Sequence, residues 1–205
     1  MFALADPMAS DAIDWSRLEL WWGDERYLPA GEPERNDYLA DERLLSQVDI
    51  DPAYVHRIPG PDTCDSPEES ARVYAGDIAA AAKLRALNGR PLFDIVLLSI
   101  GPDGHVASLF PESASLISEE PVLAIHDSPK PPPVRVTLGF EALNDSTECW
   151  LLASGGEKAD VVDLMLTQGA GVLQIPAAGI DARERTLLLI DETAASKLTA
   201  DIGKR

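Results

Sequence analysis

The stretch FDIVLLSI, residues 93–100, is a near-continuous apolar run. It is the length of a strand rather than a helix, and only Asp94 and Ser99, near its two ends, are polar. Such a run predicts a central parallel strand buried on both faces. A parallel strand needs a long crossover to its neighbour, usually through a helix. The rest of the chain therefore has to supply helices and further strands in alternation.

It does so. LELWW (18–22), YVHRI (54–58), PVLAIHD (121–127), VRVTL (134–138), ECWLLAS (148–154) and TLLLID (186–191) read as strands. RNDYLADERLLSQV (35–48) reads as a helix with Leu39, Leu44, Leu45 and Val48 on one side. Ser66, Pro67 and Glu69 form a helix-start signature, and Asn88-Gly89 a stop signal, which predicts a helix between them. EKADVVDLMLTQ (157–168) is a further helix, VLQIPAA (172–178) precedes the last strand, and the tail ETAASKLTADI reads as a terminal helix. SPKPPP (128–133) suits only an extended loop. The expected fold class is α/β, a three-layer α/β/α sandwich with a mostly parallel, Rossmann-like sheet. No repeat or linker divides the 205 residues, so one domain over 1–205 is expected.

In open α/β sheets ligands bind beyond the carboxyl ends of the strands. The apolar run ends there in Gly101-Pro102-Asp103-Gly104-His105. Two glycines permit unusual backbone conformations and close approach of a ligand. An imidazole serves as a base near neutral pH, and a carboxylate two residues away can orient it. Pro-Asp-Gly is also ordinary turn chemistry, with His105 at a helix start, and pattern alone leaves both readings open. The other two histidines, His56 and His126, lie in apparent strands and read as structural.

WWGDERYLP (21–29) also follows a strand and offers Asp24, Glu25 and Arg26. Arginine suits bidentate contact with phosphate; the plainer reading is a solvated loop with a local ion pair. ASGGEKA (153–159) is a strand, a Gly-Gly turn and a helix start, with Lys158 in the first turn. Helix N-termini attract anions, although a surface lysine on an amphipathic helix is common. Arg135 is a weaker phosphate candidate, and Lys130 weaker still.

Several chemistries find no support. The Gly-x-Ser-x-Gly elbow, the Gly-x-Gly-x-x-Gly fingerprint and the P-loop spacing are all missing. His and Cys spacing gives no metal site, and no cofactor is expected. Cys64 and Cys149 read as reduced thiols of a cytoplasmic protein. No secretory signal or membrane-length apolar stretch appears. The net charge of −18 argues against nucleic acid and anionic membranes as partners. An anionic substrate would need a few cations placed locally against the global field. Oligomeric state is not legible.

WWGDER, GPDGHVASLFP, RVTL and SGGEKA, in this order, resemble the 6-phosphogluconolactonase family, from about Asp14 to Asp191. The resemblance implies hydrolysis of 6-phosphoglucono-δ-lactone to 6-phosphogluconate in the oxidative pentose phosphate pathway, without metal or cofactor. It implies His105 as general base and Asp103 as the group that positions it. Arg26 and Lys158 would hold the phosphate, Asp24 would organise the site around Arg26, and backbone N–H groups near Gly104 would stabilise the oxyanion. Gly104 and Arg135 complete the expected substrate-binding set. The related glucosamine-6-phosphate deaminases carry a glutamate five residues after the histidine, where this chain has Phe110. That favours the lactonase; a deaminase-like enzyme and a non-catalytic phosphosugar-binding domain are the alternatives. The family usually shows Thr-Pro after RVTL, and this chain has Gly139-Phe140. Family members also begin a few dozen residues earlier, with a strand and a Ser/Thr-bearing glycine-rich phosphate loop; Met1 here opens at what resembles the end of the following helix. The resemblance therefore implies weaker turnover and lower stability than in a longer form.

Overall fold

A computed structural model describes residues 12–167 and 169–198. Among the described residues there are eight strands, β1 (Leu20–Trp21), β2 (Asp24–Arg26), β3 (Val55–His56), β4 (Phe93–Ser99), β5 (Val122–Ile125), β6 (Arg135–Leu138), β7 (Ser146–Ala153) and β8 (Arg185–Ile190). Four helices accompany them: α1 (Asn36–Arg43), α2 (Pro67–Ala86), α3 (Phe140–Asn144) and α4 (Ala159–Thr167). Strands β4, β7 and β8 form a parallel sheet in the order β4-β7-β8, and β1 pairs with β3 in parallel. The third sheet, β2-β6-β5, is antiparallel. The fold class is thus mixed α/β with mostly parallel pairing, as the alternating pattern predicts. No helix among the described residues is long and apolar enough to cross a membrane.

Helix α2 forms where its end signals place it. The Ser66 hydroxyl accepts the Glu69 N–H at 3.1 Å, Pro67 occupies the first turn, and Gly89 adopts φ +68° just past the end. The Glu69 carboxylate reaches back to the N–H of Asp65 at 2.8 Å, one residue before the cap. The helix packs Tyr74 and Ile78 into the core, where Tyr74 is fully buried. The Tyr74 hydroxyl accepts from the Trp22 N–H at 2.9 Å. LELWW therefore yields a ladder only at Leu20 and Trp21, because a side chain takes the next backbone donor.

Other expectations need correction. The helix expected over 35–48 ends at Arg43, and Leu44 takes φ −140° before a 3-10 turn at Leu45–Gln47. Its inward face is Asp37 and Ala40, with Leu39 42% exposed, because this helix packs on a polar knot described below. The tail is turns rather than helix up to Lys197, and residues 199–202 lie outside those described, as do Gln168 at the end of the expected α4 and the first eleven residues. Strand β4 is not buried on both faces. It pairs with β7 alone among the described residues, and Ile95 and Leu97 are 50% and 54% exposed. Together with Leu152 and Leu189 they make an apolar outward face on the parallel sheet. Val96, Leu98, Cys149, Leu151 and Ala153 make the inward face. An apolar run says that a strand has two apolar faces, and not that both are covered.

The GDER loop is no solvated loop. Alternation along β2 sends Glu25 inward, where it is 1% exposed. Its carboxylate accepts the N–H groups of Arg26, Asn36 and Asp37 at 2.8, 2.7 and 2.9 Å. Two of those donors open α1, so a carboxylate from another strand caps this helix at its positive end. Beside it, buried Arg35 grips Asp37 through two bonds of 2.9 and 2.7 Å and donates to the carbonyls of Leu28 and Ile58. Burial pushes the Glu25 carboxyl up, while the three backbone donors and Arg35 pull it down; burial prevails. Glu25→Ala leaves two buried helix N–H groups and part of a charge network without a partner. It is expected to cost about 3–5 kcal/mol, read as a lower denaturation midpoint in urea.

Candidate active site

The loop after β4 folds back on itself. Gly101 donates its N–H to the His105 carbonyl at 2.8 Å, and Gly104 donates to the Gly101 carbonyl at 2.9 Å with φ +87°. The imidazole is thereby laid across Gly101. A Cβ at Gly101 would lie 1.9 Å from His105 Nδ1 and 2.6 Å from Asp103 Oδ1, so only glycine fits. Nδ1 faces Asp103 Oδ1 at 2.5 Å. A carboxylate accepts, so the neutral ring carries its hydrogen on Nδ1 and its lone pair on Nε2, which makes no hydrogen bond among the described residues. The Phe110 ring packs on the imidazole with centroids 4.8 Å apart. No helix starts at His105; turns follow it.

Burial lowers the His105 pKa, Asp103 opposes that shift, and the net direction is below the ordinary 6.5. Burial raises Asp103, but the hydrogen bond to His105 and its charge outweigh it, so Asp103 titrates below the usual carboxylate range. The pair is an oriented base: a ring held by a carboxylate at one nitrogen, with the other nitrogen open.

Three further segments surround this base. On β2, Asp24 and Arg26 point to the face opposite Glu25, and their ladder partners on β6 are Thr137 and Arg135. Asp24 accepts from the Ser108 hydroxyl at 2.7 Å and from Asn36 Nδ2 at 3.4 Å, and pairs with Arg135 Nη1 at 3.9 Å. It is thus organised around Arg135 and Ser108, not around Arg26 as expected. Arg26 donates to the Glu34 carbonyl, and its Nε is buried with no partner. Arg135 is buried and donates to the carbonyls of Lys130, Pro131 and Pro132 at 3.0, 3.2 and 2.9 Å. It holds the proline loop in place. That loop brings Lys130 Nζ to 3.2 Å from His105 Nδ1.

Lys158 lies at the same end of the parallel sheet, because Ser99 of β4 pairs with Leu152 of β7. It ends a 3-10 turn, Gly156–Lys158, which runs into α4. Val161, one turn later, touches Gly104, where an added Cβ would meet it at 3.0 Å. The Gly-Gly turn is tied down by Asp191, which accepts from Ser154 Oγ and the Gly155 N–H at 2.6 and 3.0 Å. These bonds and those from Thr193 and Ala194 hold the Asp191 carboxyl well below its usual range. Gly104 contributes shape, and its own N–H is donated to the Gly101 carbonyl.

Sequence reasoning missed Ser108 and Asp191 as parts of this site and ranked Lys130 last among its cations. Ser108 is fully buried inside an apolar segment, donating to Asp24 and accepting nothing from solvent; a lone polar residue after the histidine was its one visible signal. His56 lies in β3 as expected, whereas His126 falls just past the end of β5 and is exposed. His56 stacks on Trp21 at 3.8 Å and faces Glu19, and His126 faces Glu68.

The matching family model is that of the glucosamine-6-phosphate isomerases/6-phosphogluconolactonase, over residues 1–189. The chain belongs to this family. A 6-phosphogluconolactonase of Streptomyces coelicolor is 50% identical over 200 residues, covering 96% of this chain and 76% of that protein. The crystal structure of a devB protein superposes with a TM-score of 0.83 at 30% identity, covering 96% of this chain and 81% of that one. A 6-phosphogluconolactonase structure from Thermotoga maritima gives a TM-score of 0.76 at 27% identity, with 92% and 79% covered.

Within this family member, Gly101→Ala is expected to leave the fold intact and to expel the imidazole from its seat. The imidazole proton held between Nδ1 and Asp103 is expected downfield in the proton NMR spectrum of the parent chain and should then be lost.

Proposed function

We propose that this chain hydrolyses 6-phospho-D-glucono-1,5-lactone to 6-phospho-D-gluconate in the oxidative pentose phosphate pathway, with His105 as the general base. The observation that carries the reading is the His105 ring, fixed at Nδ1 by Asp103 and open at Nε2, at the carboxyl end of a parallel strand. The family membership and the 50% identity to the Streptomyces 6-phosphogluconolactonase support it.

In this reading Nε2 takes a proton from water as the water oxygen attacks the lactone carbonyl carbon. The tetrahedral intermediate collapses, the bond from that carbon to the ring oxygen breaks, and the proton passes from Nε2 to the departing oxygen. The product is a free acid and an open-chain hydroxyl, and His105 returns to its neutral form. Asp103 holds the tautomer and stabilises the transient imidazolium. Arg26 and Lys158 hold the phosphate, and Asp24, with Ser108 and Arg135, fixes the wall of the site. Residues 1–205 act as one cytoplasmic domain without cofactor, and the substrate is a small phosphosugar lactone. Phe110 favours hydrolysis over the deaminase reaction. Its ring packs tilted against His105 at the position where the deaminases carry a carboxylate, and a phenyl group moves no proton.

Hydrolysis of freshly generated lactone, coupled to a dehydrogenase that consumes the product, tests this against the spontaneous rate. His105→Ala is expected to lower kcat/KM by about 10²–10⁴-fold. Arg26→Ala is expected to raise KM more than it lowers kcat, as loss of a phosphate contact does. Because the base works in its neutral form, kcat/KM should rise with pH through a midpoint below the ordinary histidine value of 6.5. A wild-type rate equal to the blank would overturn the proposal.

A further inference from the structure

We propose that Lys130 is a positioning residue for the base: its ammonium group, beside the Asp103–His105 pair, keeps the imidazole in the neutral form that accepts a proton from water. The inference rests on the hydrolase reading above. It starts from a conflict at one atom. Lys130 Nζ lies 3.2 Å from His105 Nδ1, and Asp103 Oδ1 lies 2.5 Å from the same nitrogen. Nδ1 has either a hydrogen or a lone pair to offer, not both. The shorter contact is with a group that only accepts, so the hydrogen sits on Nδ1, and the ammonium has no lone pair there to bond. Lys130 is instead a positive charge held against the ring, with Asp103 Oδ1 3.8 Å from its Nζ.

That placement is built. Ser128 Oγ donates to the Lys130 carbonyl at 2.9 Å and accepts its N–H at 3.3 Å. Arg135 grips the carbonyls of Lys130, Pro131 and Pro132 from β6. The backbone is fixed without any help from the lysine side chain, which is free to act on the dyad. A second positive charge on the ring would sit 3.2 Å from the first. Like charges this close disfavour protonation of the imidazole. The groups facing His105 from the elements around it are Asp103 on its own loop, Asp24 on β2 and Lys130 on the proline loop. The two carboxylates favour the charged ring, and Lys130 is the cation among the three that opposes them. Without it the dyad would tend towards an ion pair, a worse base towards water.

The test uses two readouts on Lys130→Met and Lys130→Arg. The first is the titration of the His105 Cε1–H signal by NMR in the substrate-free protein, assigned by its loss in His105→Asn; the chain has three histidines. The second is the pH profile of kcat/KM for the lactone. In Lys130→Met the midpoint should move to higher pH in both readouts by the same amount. The activity deficit should then be several-fold at the acid end and shrink as pH rises. Lys130→Arg should restore both towards the wild type. An unmoved His105 midpoint, or an equal loss at every pH with only KM raised, overturns the role and makes Lys130 a substrate contact. A moved midpoint in a protein whose wild type shows no turnover supports the charge effect and overturns the hydrolase reading instead.

Discussion

A carboxylate with almost no access to water organises half of this molecule. Glu25 sits at the middle of a three-residue strand and accepts three backbone N–H groups, two of them from the first turn of α1. Those donors have no partner within the helix, and the helix dipole favours an anion there. Burial of the charge is costly, so removal of any one partner is worse than the presence of all of them. Strand alternation converts this constraint into a site. With Glu25 locked inward, Asp24 and Arg26 are committed to the other face, opposite Thr137 and Arg135. The structural knot and the polar wall of the site are two sides of the same strand.

The base is fixed by a second constraint, close approach. The chain turns so tightly after β4 that the imidazole occupies the volume of a side chain at Gly101. The turn's own hydrogen bonds hold the backbone, and Asp103 and Phe110 hold the ring on two sides. What remains open is Nε2. The proline loop then adds a cation, and the Gly-Gly turn brings a helix start to the same sheet end through the parallel β4–β7 register. A protein of net charge −18 thus sets Lys130 beside the imidazole, with Arg26 and Arg135 paired across β2 and β6 and Lys158 at the same end of the parallel sheet.

Much of this was legible in the residues. The α2 boundaries followed from Ser66, Pro67 and Gly89, because caps are local chemistry. The Gly101–His105 loop followed from its place after an apolar run. Where the reading failed, the deciding partner was far away in sequence. GDER left a solvated loop open beside a site role, because nothing near it shows that Asn36 and Asp37 will cap on Glu25. Lys130 ranked last among the cations because its neighbours are prolines, whereas its partner His105 is 25 residues away. Arg135 read as a weaker phosphate candidate, and two of its nitrogens donate to three loop carbonyls that sequence cannot place beside it.

The sequence by itself determined the α/β alternation, the helix ends, the glycine-framed dyad and the family motifs, since each depends on residues within a few positions of one another. The tertiary structure alone decided which faces are covered, which cation stands beside the imidazole and which carboxylate is a clamp rather than a site residue. Those outcomes depend on strand register and on burial, and both are set by partners tens of residues apart. A one-residue change of register would reverse the roles of Glu25 and its two neighbours, with the same local sequence.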